Sequence, residues 1–163
     1  LFCLSNKNVH TISVGISKVK DFERHLKAIS LLSESHKYVP KISERLHQAT
    51  IDSLGTEWFE GWDRNLPNWK NTPGGINIPV LIWLSNLIDS LNLEDFARAR
   101  YQLLGNGGHW FPGNNANLID QGVTESQLLK VLERHIEPKK VINKLRVLKE
   151  KFGEKSIKRL SKD

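Results

Sequence analysis

"NIPVLIWLSNLIDSL" (Asn77–Leu91) is the stretch on which the reading of the fold turns. Asn77 carries the short polar side chain of a helix N-cap, and Pro79 falls in the first turn, where its missing N–H leaves no bond unmade. The residues that follow are apolar on nearly every side as far as Asn86. That pattern predicts a helix covered all round, the central helix of a helical domain. The apolar run "IPVLIWL" is far short of the ~20 residues a membrane-spanning helix needs.

Helical signals continue on both sides. "NLEDFARARYQLLG" (Asn92–Gly105) offers Asn92 as cap, Asp95 three residues on, and Gly105 as stop. "TESQLLKVLERH" (Thr124–His135) has the stronger capping box, Thr124 with Gln127. In "EPKKVINKLRVLKEKFG" (Glu137–Gly153), Pro138 opens a helix whose Val141, Ile142, Leu145, Leu148 and Phe152 form one stripe. Upstream, "VPKISERLHQATIDSLG" (Val39–Gly55) places Pro40 in a first turn, Ile42, Leu46 and Ala49 on one face, and Gly55 at the stop. "TEWFEGWDRNLPNW" (Thr56–Trp69) reads as a short aromatic helix that dissolves by Pro67.

One segment reads differently. "VHTISVG" (Val9–Gly15) alternates Val9, Thr11 and Ser13 with His10, Ile12 and Val14, and is rich in β-branched residues, as a strand is. After Gly15, Ser17 is placed to cap a helix with Val19, Phe22, Leu26 and Ile29 on a buried stripe. Strand, turn and helix make half of a βαβ unit. A lone strand has no partner for its backbone, so its neighbours are expected outside this chain. The expectation that the chain is a piece of a longer protein also draws on the absence of methionine and on "LFCLSN" (Leu1–Asn6), which reads like a helix end. "SESHKY" (Ser33–Tyr38) marks the expected division into residues 1–35, a strand–helix unit, and 36–163, a helical domain.

The chain has 163 residues, 39% of them apolar, with five Trp and six Phe, which excludes general disorder. One cysteine, Cys3, rules out an intrachain disulfide and any Cys-rich iron–sulfur or zinc site. The expectation is a soluble, cytoplasmic protein with no membrane partner. Much of the net charge of +6 lies near the C-terminus, where Lys139 to Asp163 hold ten Lys or Arg against Glu150, Glu154 and Asp163. Regularly spaced apolar residues among those cations favour a packed helix with a solvated face over a nucleic-acid tail.

Candidate chemistry centres on "LLGNGGHWFPGNN" (Leu103–Asn115). A phosphate loop would need a strand before it and a Lys with Ser or Thr after it. Here a helix precedes, and His109 and Trp110 follow. His109 has no second ligand at metal-binding spacing. The reading that remains is a packed loop in which Trp110 and Phe111 fill the core while glycines take positive φ angles. His10, His25, His36, His47, His109 and His135 have no nucleophile or acid at motif spacing. Cys3 reads as a small apolar filler. Trp58, Phe59, Trp62 and Trp69 have the helical spacing of a core rather than the basic interleaving of a base-stacking surface. No catalytic residue and no metal ligand emerges.

Two stretches carry a family resemblance. "NVHTISVGISKVKDFERHLKAI" (Asn8–Ile29) resembles the last barrel strand and following helix of the aldo/keto reductases, with "LFCLSN" like the end of the preceding helix. The resemblance implies that Gly15 and Ser17, matching the family's turn, contact the 2′-phosphate of NADPH at the helix N-terminus. Asp21 and His25 depart from the family's residues there. "TPGGINIPVLIWLSNLI", "ARYQLLGN" and "HWFPGNNANLI" resemble the helical ferredoxin-like extension found in a subgroup of that family.

In that extension cysteines hold iron–sulfur clusters. Here their positions would fall at Asp63, Leu66, Trp69 and Thr72, with Phe111 before Pro112 in the second loop. The pattern is similar to a cyanobacterial-type branch without a cluster. The implied protein is a C-terminal fragment of an NADPH-dependent oxidoreductase, partnered by the rest of the barrel, inactive alone and free of iron–sulfur clusters. A different class, a basic helical module binding an acidic protein or nucleic acid, is the alternative.

If Trp69, Trp110 and Phe111 share one buried cluster where metal would otherwise sit, replacing Trp110 with Ala should cost ~3–5 kcal/mol of stability in a thermal melt.

Overall fold

The computed structural model describes residues 1–106 and 112–153. It is mainly helical, and among the described residues there are seven α-helices and no β-ladder. The helices are α1 (Val19–Ser30), α2 (Ser35–Leu54), α3 (Thr56–Gly61), α4 (Ile78–Leu91), α5 (Glu94–Leu103), α6 (Glu125–Val131) and α7 (Pro138–Phe152). No described helix is long and apolar enough to cross a membrane. The chain forms two compact units, Leu1–Ala49 and one beginning at Thr50. Ser33 to Tyr38, where composition suggests a break, spans the end of a single 3-10 turn (Leu32–Glu34) and the first residues of α2.

In the unit from Thr50, α4 packs against both α5 and α7. Asn77 Oδ1 accepts from the Val80 N–H at 3.2 Å, and Pro79 lies in the first turn, as the sequence predicts. Ile78, Leu81, Ile82 and Leu84 are fully buried, and Ser85 and Asn86 are buried beside them. The expected α7 stripe is buried in full: Val141, Ile142, Leu145, Leu148 and Phe152. Burying side chains of this size contributes roughly 1.5–3 kcal/mol each before entropy is counted. Thr124 and Gln127 form their reciprocal capping box at the start of α6. Tyr101, buried on α5, donates to Asn117 Oδ1 at 2.7 Å and meets the Phe152 ring edge-on at 5.7 Å.

Five of the six cations of α7 bond to groups of the same unit. Lys140 pairs with Glu137, Lys144 with Asp89, Arg146 with Asp120 and Glu125, and Lys151 with Glu94, while Lys149 donates to the Ile119 carbonyl. The Arg146 guanidinium holds the Asp120 carboxyl below the usual carboxylate range, chiefly through their hydrogen bonds.

Two local expectations are corrected here. Asn92 does not cap α5 but closes α4, in the left-handed region at φ 55°, ψ 35°, with its N–H bonding Ile88 O at 3.0 Å. Only Asn92 and Leu93 join the two helices, and asparagine tolerates that conformation better than most residues. Pro40 is not in a first turn. α2 begins five residues earlier, at Ser35, so Pro40 lies inside it and cannot donate to the carbonyl four residues back.

The first unit departs further from expectation. Val9–Gly15 forms no strand; it has no regular secondary structure, and no backbone hydrogen bond joins His10–Ile16 to any described residue. A strand is defined by its ladder, and this unit supplies no second one. The α1 stripe is exposed rather than buried: Val19 81%, Phe22 52%, Leu26 51%, Ile29 55%. Ile42 and Leu46 are also exposed, as is Cys3, which therefore fills no core. Amphipathic spacing records which side chains disfavour water, and within this unit no described residue buries that face.

Leu145→Ala should destabilise the Thr50 unit by about 2–5 kcal/mol. Val147→Ala, two residues along on the exposed side, should stay within ~0.5 kcal/mol. Urea unfolding followed by Trp fluorescence separates the two.

Candidate functional site

The first candidate is the turn before α1. Gly15 is exposed, its φ lies outside the positive region, and a Cβ added there would meet nothing within 4 Å. Ser17 does not cap α1; the N-cap is Lys18. Asp21, in the first turn, reaches back so that its Oδ2 accepts from the Ser17 N–H at 3.2 Å and the Lys18 N–H at 3.0 Å. A helix N-terminus favours negative charge, and here the chain's own carboxylate takes the position. The Ser17 and Lys18 N–H groups are therefore already bonded.

The second candidate is the pair of loops around Pro73 and Pro112. Gly107, Gly108, His109, Trp110 and Phe111 lie outside the described residues, so the proposed packing of Trp110 and Phe111 is not addressed. The flanking residues are described, and they join the loops directly. Ile76 and Asn114 form a parallel bridge. Asn77 N–H donates to Asn114 O at 2.9 Å, and Asn114 N–H donates to Gly75 O at 2.8 Å. Side chains repeat the link: Asn77 Nδ2 donates to Pro112 O at 2.6 Å and Asn114 Nδ2 to Gly74 O at 2.8 Å.

Trp69 closes the side of this seam. Gly113 has φ +88°, and a Cβ there would come within 2.9 Å of Gly75 O and 3.0 Å of Trp69 Cβ. Only glycine fits a backbone so twisted and so close. Of the four positions where the resemblance would put cysteines, Asp63 is exposed, Leu66 and Trp69 are half-buried, and Thr72 is buried. The Thr72 hydroxyl lies 2.8 Å from Trp69 O and 2.7 Å from Ile76 O, tying the loop to itself. Among the described residues no group of three His, Cys, Asp or Glu could hold a metal ion.

Sequence reasoning missed a buried polar cluster in the same unit. Trp58 Nε1 donates to Asn86 Oδ1 at 2.9 Å across 28 residues, and the other Asn86 amide atom, Nδ2, is buried without a partner. His135, also buried, accepts the Glu137 N–H at Nδ1 (3.1 Å), which leaves Nε2 to donate to Trp62 O at 3.0 Å. Its ring meets Trp58 edge-on at 5.8 Å, and Lys140 Nζ sits 4.3 Å from the centre of the Trp58 ring. The cluster joins α3 to α4 and α7. Its chemistry is that of a brace. A link between the loops was expected from aromatic packing; its hydrogen-bonded form was unforeseen, although the Pro-Gly pairs at 73–74 and 112–113 are a signal that the two loops start alike.

No protein-family model, no curated protein and no solved structure matches this chain.

Asn77 serves twice, as the α4 cap and as a donor to the second loop. Asn77→Ala should cost about 2–4 kcal/mol, from a cap worth ~1 and a lost buried bond worth ~1–3. Asn77→Asp keeps the cap oxygen and should recover only the cap's share in the same urea titration.

Proposed function

We propose that this chain is a non-catalytic, C-terminal part of an NADPH-dependent, aldo/keto-reductase-like oxidoreductase. In this reading the residues from Thr50 form a helical, ferredoxin-like scaffold without a cluster, and Val9–Ser30 is a strand–helix unit belonging to the barrel. One observation carries the proposal: the two Pro-Gly loops are closed on each other by backbone and asparagine hydrogen bonds, with Trp69 and Gly113 in contact beside them. Loops that would otherwise be organised by a metal cluster are joined, among the described residues, by hydrogen bonds from backbone and side-chain amides. The parent reaction would be hydride transfer from NADPH to a carbonyl, performed by residues that this chain does not supply.

Gly15 and Ser17 would approach the cofactor only if Asp21 gave up its hold on the Ser17 and Lys18 N–H groups. The alternative, a basic module for an acidic protein or nucleic acid, draws little support from α7. Five of its six cations, all but Lys139, bond to groups of their own unit.

The test is carbonyl-dependent NADPH oxidation, measured for this chain alone and for a polypeptide that also supplies the remaining barrel strands. Turnover is expected only in the longer polypeptide. A measurable rate from the isolated chain overturns the proposal, as does stoichiometric iron and sulfide in purified material.

A further inference from the structure

We infer that a cleft beside the loop seam binds a small, uncharged molecule carrying a primary carboxamide, and that Gln102 recognises it. The cleft lies between the end of α5, the 3-10 turn at Ala116–Leu118 and the end of α7, with a volume of about 280 Å³. Two observations point to a ligand there. The first is Gln102 itself. It is only 9% exposed and lines the cleft, yet its side-chain amide has no hydrogen-bonding partner among the described residues. Buried amides are almost always bonded, and one left unpaired carries a desolvation cost that a ligand can relieve.

The second observation is how the neighbouring amides are used. Asn106 Nδ2 donates to Gln102 O at 2.6 Å, and Asn114 Nδ2 donates to Gly74 O at 2.8 Å. Their N–H groups are engaged within the chain, while Asn106 Oδ1 and Asn114 Oδ1 have no partner among the described residues. Gly105, at φ +86°, keeps the latter oxygen clear, since a Cβ there would come within 2.9 Å of it. Asn115 and Asn117 differ. Asn115 Oδ1 accepts from the Asn117 N–H and Asn117 Oδ1 from the Tyr101 hydroxyl, so both oxygens serve the fold.

The free groups select the ligand. Gln102 offers a donor beside an acceptor, and the two asparagine oxygens only accept. A primary carboxamide is the complement: its C=O and one N–H pair with Gln102, and its second N–H is left for an oxygen. A carboxylate has no hydrogen to give these oxygens, and an ammonium has no acceptor for Gln102 Nε2. Either charge would also be unpaired, because no ionisable side chain lines the cleft. Leu104, Leu118 and Phe152 supply an apolar wall for the hydrocarbon part. The volume lies at the low end for small-molecule sites and suits a ligand of about one ring. The inference does not depend on the reductase proposal.

Titration of the full chain with benzamide, followed by the 15N–1H resonances of the Gln102 side chain, tests it. Benzamide should shift them saturably, with a Kd on the order of a millimolar for so small a molecule. Benzoate, the charged counterpart of the same shape, should not. Gln102→Met keeps an unbranched side chain and removes the amide. That variant should melt at or above the parent temperature, because the group it lacks had no partner in the free protein. Its affinity for benzamide, read at the Leu104 and Asn106 backbone amides, should fall ~10-fold or more. No saturable shift, an equal response to benzoate, or undiminished binding by Gln102→Met overturns the inference. So does a clear loss of thermal stability in Gln102→Met, which would mark the amide as bonded within the chain.

Discussion

The structure from Thr50 onward depends on a hydrogen-bonded seam between two loops distant in sequence. Asn77 stands at its centre: its carbonyl-side oxygen Oδ1 starts α4 at Val80, its Nδ2 holds Pro112, and its backbone N–H holds Asn114. A buried amide with every bond made contributes little net free energy, whereas one left unmade costs the full desolvation of its group. The seam therefore acts less as a source of stability than as a constraint on geometry. It fixes where α4 begins, and α4 in turn provides the surface on which α5 and α7 pack.

A second constraint works alongside the first. The Trp58–Asn86 bond and the buried His135 ring connect α3, α4 and the turn before α7. The lysines above Trp58 add charge against its π face, an attraction available to indole and to few other side chains. These contacts explain why a segment as short as α3 keeps a defined place. Six residues form too short a helix to be stable by propensity alone.

What could be read from the sequence was whatever is local. The α7 stripe, the Asn77 cap and the Thr124–Gln127 box depend on residues three or four apart, and each stands where the pattern put it. The seam joins residues 35 to 40 apart and the His135–Trp62 bond spans 73, separations at which no periodicity carries information. Asn92 was misread because the residue types that begin helices also end them, and only the length of the α4–α5 connection decides. In the first unit the pattern was legible and its consequence was not: α1 is amphipathic, yet its apolar face meets water. The Gly15–Ser17 turn was equally legible, while Asp21's claim on its N–H groups is the N3 half of a capping box, hidden because Ser17 rather than Lys18 was read as the cap.

The inward pairing along α7 has a consequence for how the whole molecule presents itself to ions. Four of its six cations are met by carboxylates from α4, α5, α6, the segment before α6 and the helix's own start. A stretch that is polycationic when written as a line becomes, once folded, a zipper of alternating sign facing its neighbours. Counterions in solution then have less to condense on along this helix than its composition alone implies.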